Sequence, residues 1–286
     1  MSGDPNDPEL RRKAFSIRRF QDGLLEDSTD FVATEEPLEI RVVFGPASRR
    51  KDRSLSITMR TPGHDRGLAA GFLVGEGIIK HKEQIVDFEE VGKQSVGGSS
   101  NQLCVHLAED VEFDFGSLQR NFYMTSSCGI CGMASLEAVR ARLSKPVSSE
   151  SLKVASETIT SLPAALRQHQ QTFAETGGLH AAGLFDSAGQ HILCREDVGR
   201  HNALDKLIGN RLLNGQLPLG EHLLLVSGRA SFELVQKAVL AGIPILAAVG
   251  APSSLAVELA VEFGLTLIGF TCESRFNVYS HPQCVG

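Results

Sequence analysis

Two cysteines two residues apart, Cys128 and Cys131, stand in the run Ser126-Ser127-Cys128-Gly129-Ile130-Cys131-Gly132. Apolar Met133, Leu136, Val139 and Leu143 follow at helical spacing, so the pair is expected at or just before a helix N-terminus. That position suits sulfur chemistry. The reactive species is the thiolate, and the positive end of a helix lowers a thiol pKa from about 8.5 toward neutrality. Gly129 and Gly132 remove side-chain bulk, so another sulfur can approach, and Ser126 and Ser127 are candidate N-caps.

Several readings of this pair compete. A single C-x-x-C can serve packing alone. A zinc site needs three or four ligands, whereas Cys104, Cys194, Cys272 and Cys284 are isolated along the chain. A zinc deaminase pairs H-x-E with P-C-x-x-C. His81-Lys82-Glu83 matches the first element formally, but Ser127 stands where the proline belongs. A thioredoxin-like pair sits early in a βαβ unit, and this one lies mid-chain. A thiol that carries or transfers sulfur is the remaining reading.

A second candidate region lies in the C-terminal half. The expected order there is helix 162–173, a hairpin of strands 179–185 and 191–195, helix 202–213, strand 223–226, helix 232–241, strand 244–249, helix 254–263 and strand 265–270. Such an order predicts a three-layer α/β sandwich on a mostly parallel mixed sheet. Ligands of such sheets bind beyond the carboxyl ends of the strands. Three segments fall there: Ser227-Gly228-Arg229, residues 250–254, and Thr271-Cys272-Glu273-Ser274-Arg275. The first two lead into helices whose free N–H groups suit phosphate, so a pocket for a phosphorylated ligand is expected, set against the plain reading as ordinary βα loops. The polar run 195–206 opens a helix, and His180 begins a neighbouring strand. Asp197, His201 and His180 are candidates without an assigned role.

The N-terminal half reads as irregular α+β. Strands are expected at 39–44, 55–60, 86–91 and 101–107, with a short helix over 68–73 whose end Gly71, Gly75 and Gly77 should weaken. Residues 1–25 are expected to form a flexible charged arm, and 145–161 a linker and cap.

Composition excludes several classes. The 286 residues carry a formal net charge of -6, against the basic face that phosphate-backbone binding requires. No Trp and only two Tyr leave little for base stacking. Six cysteines are too dilute for a disulfide-stapled fold. The first 30 residues contain no apolar signal segment, and the apolar stretch 243–270 is broken by Pro244, Pro252, Glu258 and Glu262. The expected setting is the reducing cytoplasm, with no nucleic-acid or membrane partner.

Taken with TPGHD at 61, GFLVGEGII at 71, GGLHAA at 177, REDVGRHNALDKLIG at 195, SGR at 227, KAVLAGIP at 237 and APSSLAVELA at 251, the SSCGICG run resembles the FdhD family. These are accessory sulfurtransferases of formate dehydrogenase. The resemblance spans about residues 30–280. It implies a smaller α+β domain over 26–150 carrying the C-x-x-C loop, and a cytidine-deaminase-like domain over 151–286 with a cofactor pocket. It implies a sulfurtransferase that accepts sulfur from a cysteine desulfurase of the IscS type as a Cys128 persulfide, with Cys131 as helper. The sulfur passes to the molybdenum (or tungsten) bis-pyranopterin guanine dinucleotide, carried as cargo, and the protein is a homodimer without a metal of its own. Phe270 through Arg275 map to the family's cofactor-binding stretch. Thr271-Cys272-Glu273 departs from the family pattern, which often places a basic residue there, so Arg229 and the helix N-termini are expected to share the anion binding. A non-catalytic chaperone of the same cofactor, or a zinc-dependent deaminase, are the alternatives.

Overall fold

A computed structural model of the chain describes residues 8–94, 100–112 and 152–286. Cys128, Cys131 and the helix expected over 133–143 lie outside the described residues. The main sheet has six strands in the order β12-β11-β10-β9-β7-β8. These are β7 His180–Phe185, β8 His191–Asp197, β9 Leu223–Val226, β10 Ile245–Ala248, β11 Thr266–Cys272 and β12 Arg275–Val278. The sheet is mixed. β9, β10 and β11 pair in parallel, while β7 pairs antiparallel with both β8 and β9, and β12 antiparallel with β11. Four of the six strands, β8, β9, β10 and β11, therefore run in one direction, as expected of a mostly parallel mixed sheet, and β7 and β12 run against them.

Alternation along the short central strands fills both faces. Leu224 and Val226 of β9, with Leu246 and Ala248 of β10, enter one hydrophobic cluster; Leu223, Leu225, Ile245 and Ala247 enter another. The second cluster is capped by helix α2 (Ser156–Gln168) through Ile159, Leu162 and Leu166. That helix starts six residues before the expected position, and a short helix α3 (Gln171–Thr176) follows it. Pro163 lies inside α2. Cys284, two residues before Gly286, is buried here, and Val285 bridges to Val154.

On the other face lie α4 (Arg200–Leu213), α5 (Phe232–Leu240) and α6 (Ser254–Phe263). Helix α1 (Asp65–Gly75) packs on α4. Beyond α1 is a four-stranded sheet in the order β4-β3-β6-β5, built from β3 Glu36–Phe44, β4 Lys51–Arg60, β5 Ile85–Gln94 and β6 Ser100–Leu107. Leu38, Ile40, Val42, Leu103 and Val105 from this sheet share one cluster with Leu207, Val235 and Leu246. The two halves of the chain thus close a common core.

The α1–α4 contact depends on glycine. A Cβ on Gly71 would lie 1.9 Å from the Asp205 carbonyl oxygen, and one on Gly209 would lie 1.9 Å from that of Gly67. Gly71 therefore brings two helix backbones together rather than weakening a helix end. We expect Gly71→Ala to destabilise the protein by about 2 kcal/mol, an overpacking penalty near the top of the usual range less a small gain in helix propensity. Urea unfolding measures it, and a variant as stable as wild type would contradict the close approach.

Residues 12–33 form a hairpin, β1 Arg12–Gln21 with β2 Leu24–Ala33, where a flexible arm was expected up to residue 25. Its signal was present: Asp22-Gly23 takes positive φ at both positions (52° and 85°), as a two-residue hairpin turn requires. Arg12 anchors it to α3 through Glu175 at 2.8 Å.

Candidate functional site

β8, β9 and β10 end on one edge of the main sheet, and α4, α5 and α6 begin just beyond them. The loops there are layered by backbone hydrogen bonds. Gly250 N–H donates to the Gly228 carbonyl (2.9 Å), Phe270 N–H to that of Gly250 (3.1 Å), and Ser253 N–H to that of Ala230 (3.0 Å). A Cβ on Gly250 would stand 3.0 Å from Arg229 Cγ and 3.1 Å from its Cα, so glycine allows this stacking. The structure therefore brings residues 227–229 and 270–275 to one place through Gly250.

Their side chains do different jobs. Ser227 Oγ accepts the Ala181 N–H (2.8 Å), and its own N–H donates back to the Ala181 carbonyl (2.9 Å), so Ser227 extends the β7–β9 pairing. Arg229 is exposed. β11 runs on to Cys272 and returns at Arg275, with Cys272 and Arg275 paired across Glu273-Ser274. The segment expected as a loop after a strand ending at Phe270 is the tip of a hairpin. Phe270 sits at φ 54° and is 42% exposed, whereas Thr271 is buried and its Oγ1 has no hydrogen-bond partner among the described residues. The exposed Cys272 thiol is shifted below its usual pKa, first by a hydrogen bond from the Ser274 backbone. Among the described residues the cations at this edge are Arg200, Arg229 and Arg275, and Ser253 Oγ caps α6 by accepting the Ala256 N–H (3.3 Å).

His180 and His201 join this edge. A Cβ on Gly228 would lie 3.3 Å from His180 Nδ1. Burial, then the Arg200 and His201 charges, push the His180 pKa down. His201 Nε2 lies 2.9 Å from Glu233 Oε2 and 3.1 Å from Ser231 Oγ. Both contacts fall on one ring nitrogen, so these three residues are not a hydrolytic triad, which needs one partner on each nitrogen.

The rest of the 195–206 run is a buried ionic joint. Asp197 is 0% exposed and Lys206 1%. Lys206 Nζ lies 2.6 Å from Asp197 Oδ2 and donates to the Thr61 carbonyl at 2.7 Å. The Asp197 carboxylate also accepts N–H groups of Thr61 (3.1 Å) and Gly199 (2.8 Å) and the Asn202 amide (3.0 Å). One helical turn on, Asp205 pairs with Lys237 at 2.7 and 2.9 Å. Asp197 thus ties the 61–65 turn to the main sheet, a role its position in the sequence did not disclose.

The 61–65 turn carries His64 at φ 59°, accepting from Arg11 Nη2 at 2.9 Å. Burial, helped by Arg195, Arg11 and Lys206, lowers its pKa from 6.5 to about 3. The unfolded chain therefore binds a proton that the folded chain refuses between those values. Stability falls as pH drops from about 6.5 toward 3. His64→Gln is expected to shrink the stability difference between neutral and mildly acid pH, read by urea unfolding in both buffers; an unchanged difference would contradict this assignment.

Of the other cysteines, Cys104 is buried on β6. Cys194 is pushed up to about 12 by burial, which leaves it inert. His81-Lys82-Glu83 belongs to a 3-10 turn before β5, where His81 N–H donates to Gln84 Oε1 at 3.0 Å, and not to a buried helix. Among the described residues no group of three or more His, Cys, Asp or Glu is placed to hold a metal, and no helix is long and apolar enough to cross a membrane.

The FdhD/NarQ family model matches residues 33–285. The chain belongs to this family. It is 50% identical over 273 residues to the sulfur carrier protein FdhD of Streptomyces coelicolor, covering 94% of this chain and 93% of that protein. The FdhD of Mycobacterium tuberculosis is 47% identical over 257 residues, covering 88% and 90%. That of Saccharolobus solfataricus is 40% identical over 274 residues, covering 96% and 98%. Among solved structures, a candidate formate dehydrogenase accessory protein from Desulfotalea psychrophila superposes with a TM-score of 0.72 at 25% identity, covering 96% of this chain and 99% of that one. The resemblance read from SSCGICG and EDVGRHNALDK thus extends over nearly the whole FdhD chain.

Proposed function

We propose that this chain is a sulfur carrier that accepts sulfur as a persulfide on Cys128 and delivers it to a molybdenum bis-pyranopterin guanine dinucleotide destined for formate dehydrogenase. The observation that carries the reading is membership of a family with a relative, 50% identical, that is named a sulfur carrier protein, in a chain that holds a Cys128-Gly129-Ile130-Cys131 pair. The donor is a cysteine desulfurase. The Cys128 thiolate attacks the outer sulfur of the desulfurase persulfide, and the desulfurase cysteine leaves as thiolate. Cys131 then attacks the Cys128 sulfur, forming a disulfide and releasing the outer sulfur as hydrosulfide to the cargo; a thiol reductant restores the pair. A homodimer acting in the cytoplasm completes the reading.

The layered loops at 227–231, 250–254 and 270–275 support it, because a dinucleotide cargo brings diphosphates. Helix N-termini, Arg229, Arg200 and Arg275 offer donors and positive charge at one edge. Thr271-Cys272-Glu273 brings no cation, so Arg229 is expected to matter more here than the hairpin tip. Incubation with a desulfurase and cysteine, then mass spectrometry, tests the reading: an adduct of about 32 Da on the peptide containing Cys128 is expected. An unmodified peptide, with cofactor binding intact, would instead leave a non-catalytic cofactor chaperone.

A further inference from the structure

A second pocket lies away from the strand-end loops. It is a cavity of about 220 Å³ between the two halves, lined by Gly63 and His64, by the first residues of α1 (Asp65 to Gly67), by Arg195 of β8 and by Lys206 and Asn210 of α4. No residue of 227–231, 250–254 or 270–275 lines it.

The charges around it do not cancel. Asp65 is taken by Arg60 at 2.9 Å, Glu90 faces Arg66 at 4.0 Å, and Lys206 is held by Asp197. Arg195 remains. Its Nη1 donates to its neighbour's carbonyl (Cys194, 2.8 Å); among the described residues it makes no ion pair and its buried Nε has no hydrogen-bond partner. Burial and the nearby charges of Arg11 and Arg211 press on this guanidinium. A partly buried cation with no ion pair among the described residues favours an anion beside it. Helix α1 opens on the same cavity without a side-chain cap, and the N–H groups of its first turn have no intrahelical acceptor.

We propose that this cavity binds a small phosphate-class anion, paired with Arg195 and with the first-turn N–H groups of α1. Its volume is below the roughly 300–1,000 Å³ of ligand pockets. It therefore takes a free phosphate or diphosphate, or the phosphate end of a larger ester whose remainder lies outside.

Titration calorimetry of the full chain in chloride buffer tests this with inorganic phosphate, pyrophosphate and GDP. Saturable pyrophosphate binding is expected, with a component weakened about tenfold or more by Arg195→Gln, the loss of a charge-assisted pair. If Arg195→Gln does not fold, Arg195→Lys decides: weakened binding supports the site and equal affinity overturns it. No saturable binding of phosphate or pyrophosphate overturns it, as does GDP binding that depends on Arg229 alone. Preference for GDP over pyrophosphate with dependence on Arg195 identifies the ester source, and preference for pyrophosphate the free anion.

Discussion

Cys128→Ala is expected to reduce formate dehydrogenase activity in a complemented null strain to the level of the null, while the variant folds and accumulates normally. The expectation follows from the chemistry of the step. Cys128 is the residue of this chain that bonds the travelling sulfur in the proposed relay, and alanine offers no nucleophile, so the loss should be complete rather than graded. Cys131→Ala is expected to differ. It keeps the acceptor thiol, so the persulfide should still form and be detectable, while its release slows. Retained enzyme activity in the Cys128→Ala strain would remove the relay from consideration. Comparing persulfide loading with cofactor binding in both variants separates loss of chemistry from loss of cargo.

Asp197→Ala should have the largest effect on stability, about 3–5 kcal/mol, the cost of leaving one partner of a buried pair without the other. Lys206, 1% exposed, would keep only the Thr61 carbonyl, and three donors, Thr61 N–H, Gly199 N–H and the Asn202 amide, would lose their acceptor. Domains of this kind have about 5–15 kcal/mol in total, so the variant should be near unfolding at growth temperature. Burial already presses the Lys206 pKa down, and Asp197 opposes this. Without Asp197 the folded state should release that proton below the unfolded pKa, so the variant's stability should rise as pH increases toward the unfolded lysine value. Replacing both partners, Asp197→Leu with Lys206→Met, should cost less than either single change. Urea midpoints across pH test all three points, and an Asp197→Ala variant within 1 kcal/mol of wild type would contradict the buried-joint assignment.

The joint also explains why one dense polar run was ambiguous in sequence. Asp197, His201, Asp205 and Lys206 lie within one strand end and one helix, and local spacing makes them neighbours. Their partners are distant: Thr61 for Asp197 and Lys206, Glu233 for His201, Lys237 for Asp205. His201 and Asp205, four residues apart, share a face of the helix, but only the fold distributes them between a strand-end edge and a buried interface.

Sequence alone determined the elements whose signals are local. Strand 223–226 and helix 254–263 appear at their expected bounds, because a short apolar run and a capped amphipathic stretch need no distant information. It also determined family membership, since SSCGICG and EDVGRHNALDK are specific in combination. Tertiary structure decided the rest. Gly71 was legible only as a helix-weakening residue until Asp205 was seen 1.9 Å from its absent Cβ. The 271–275 stretch has no turn-forming glycine or asparagine to mark its hairpin, whose pairing depends on β11 lying at its side. Arg195 looked like one more charge in a polar run; that no carboxylate among the described residues pairs with it is a property of the cavity formed where the two halves close on a shared core. Pairing, close approach and uncompensated charge depend on residues far apart in the chain, so no local pattern can report them.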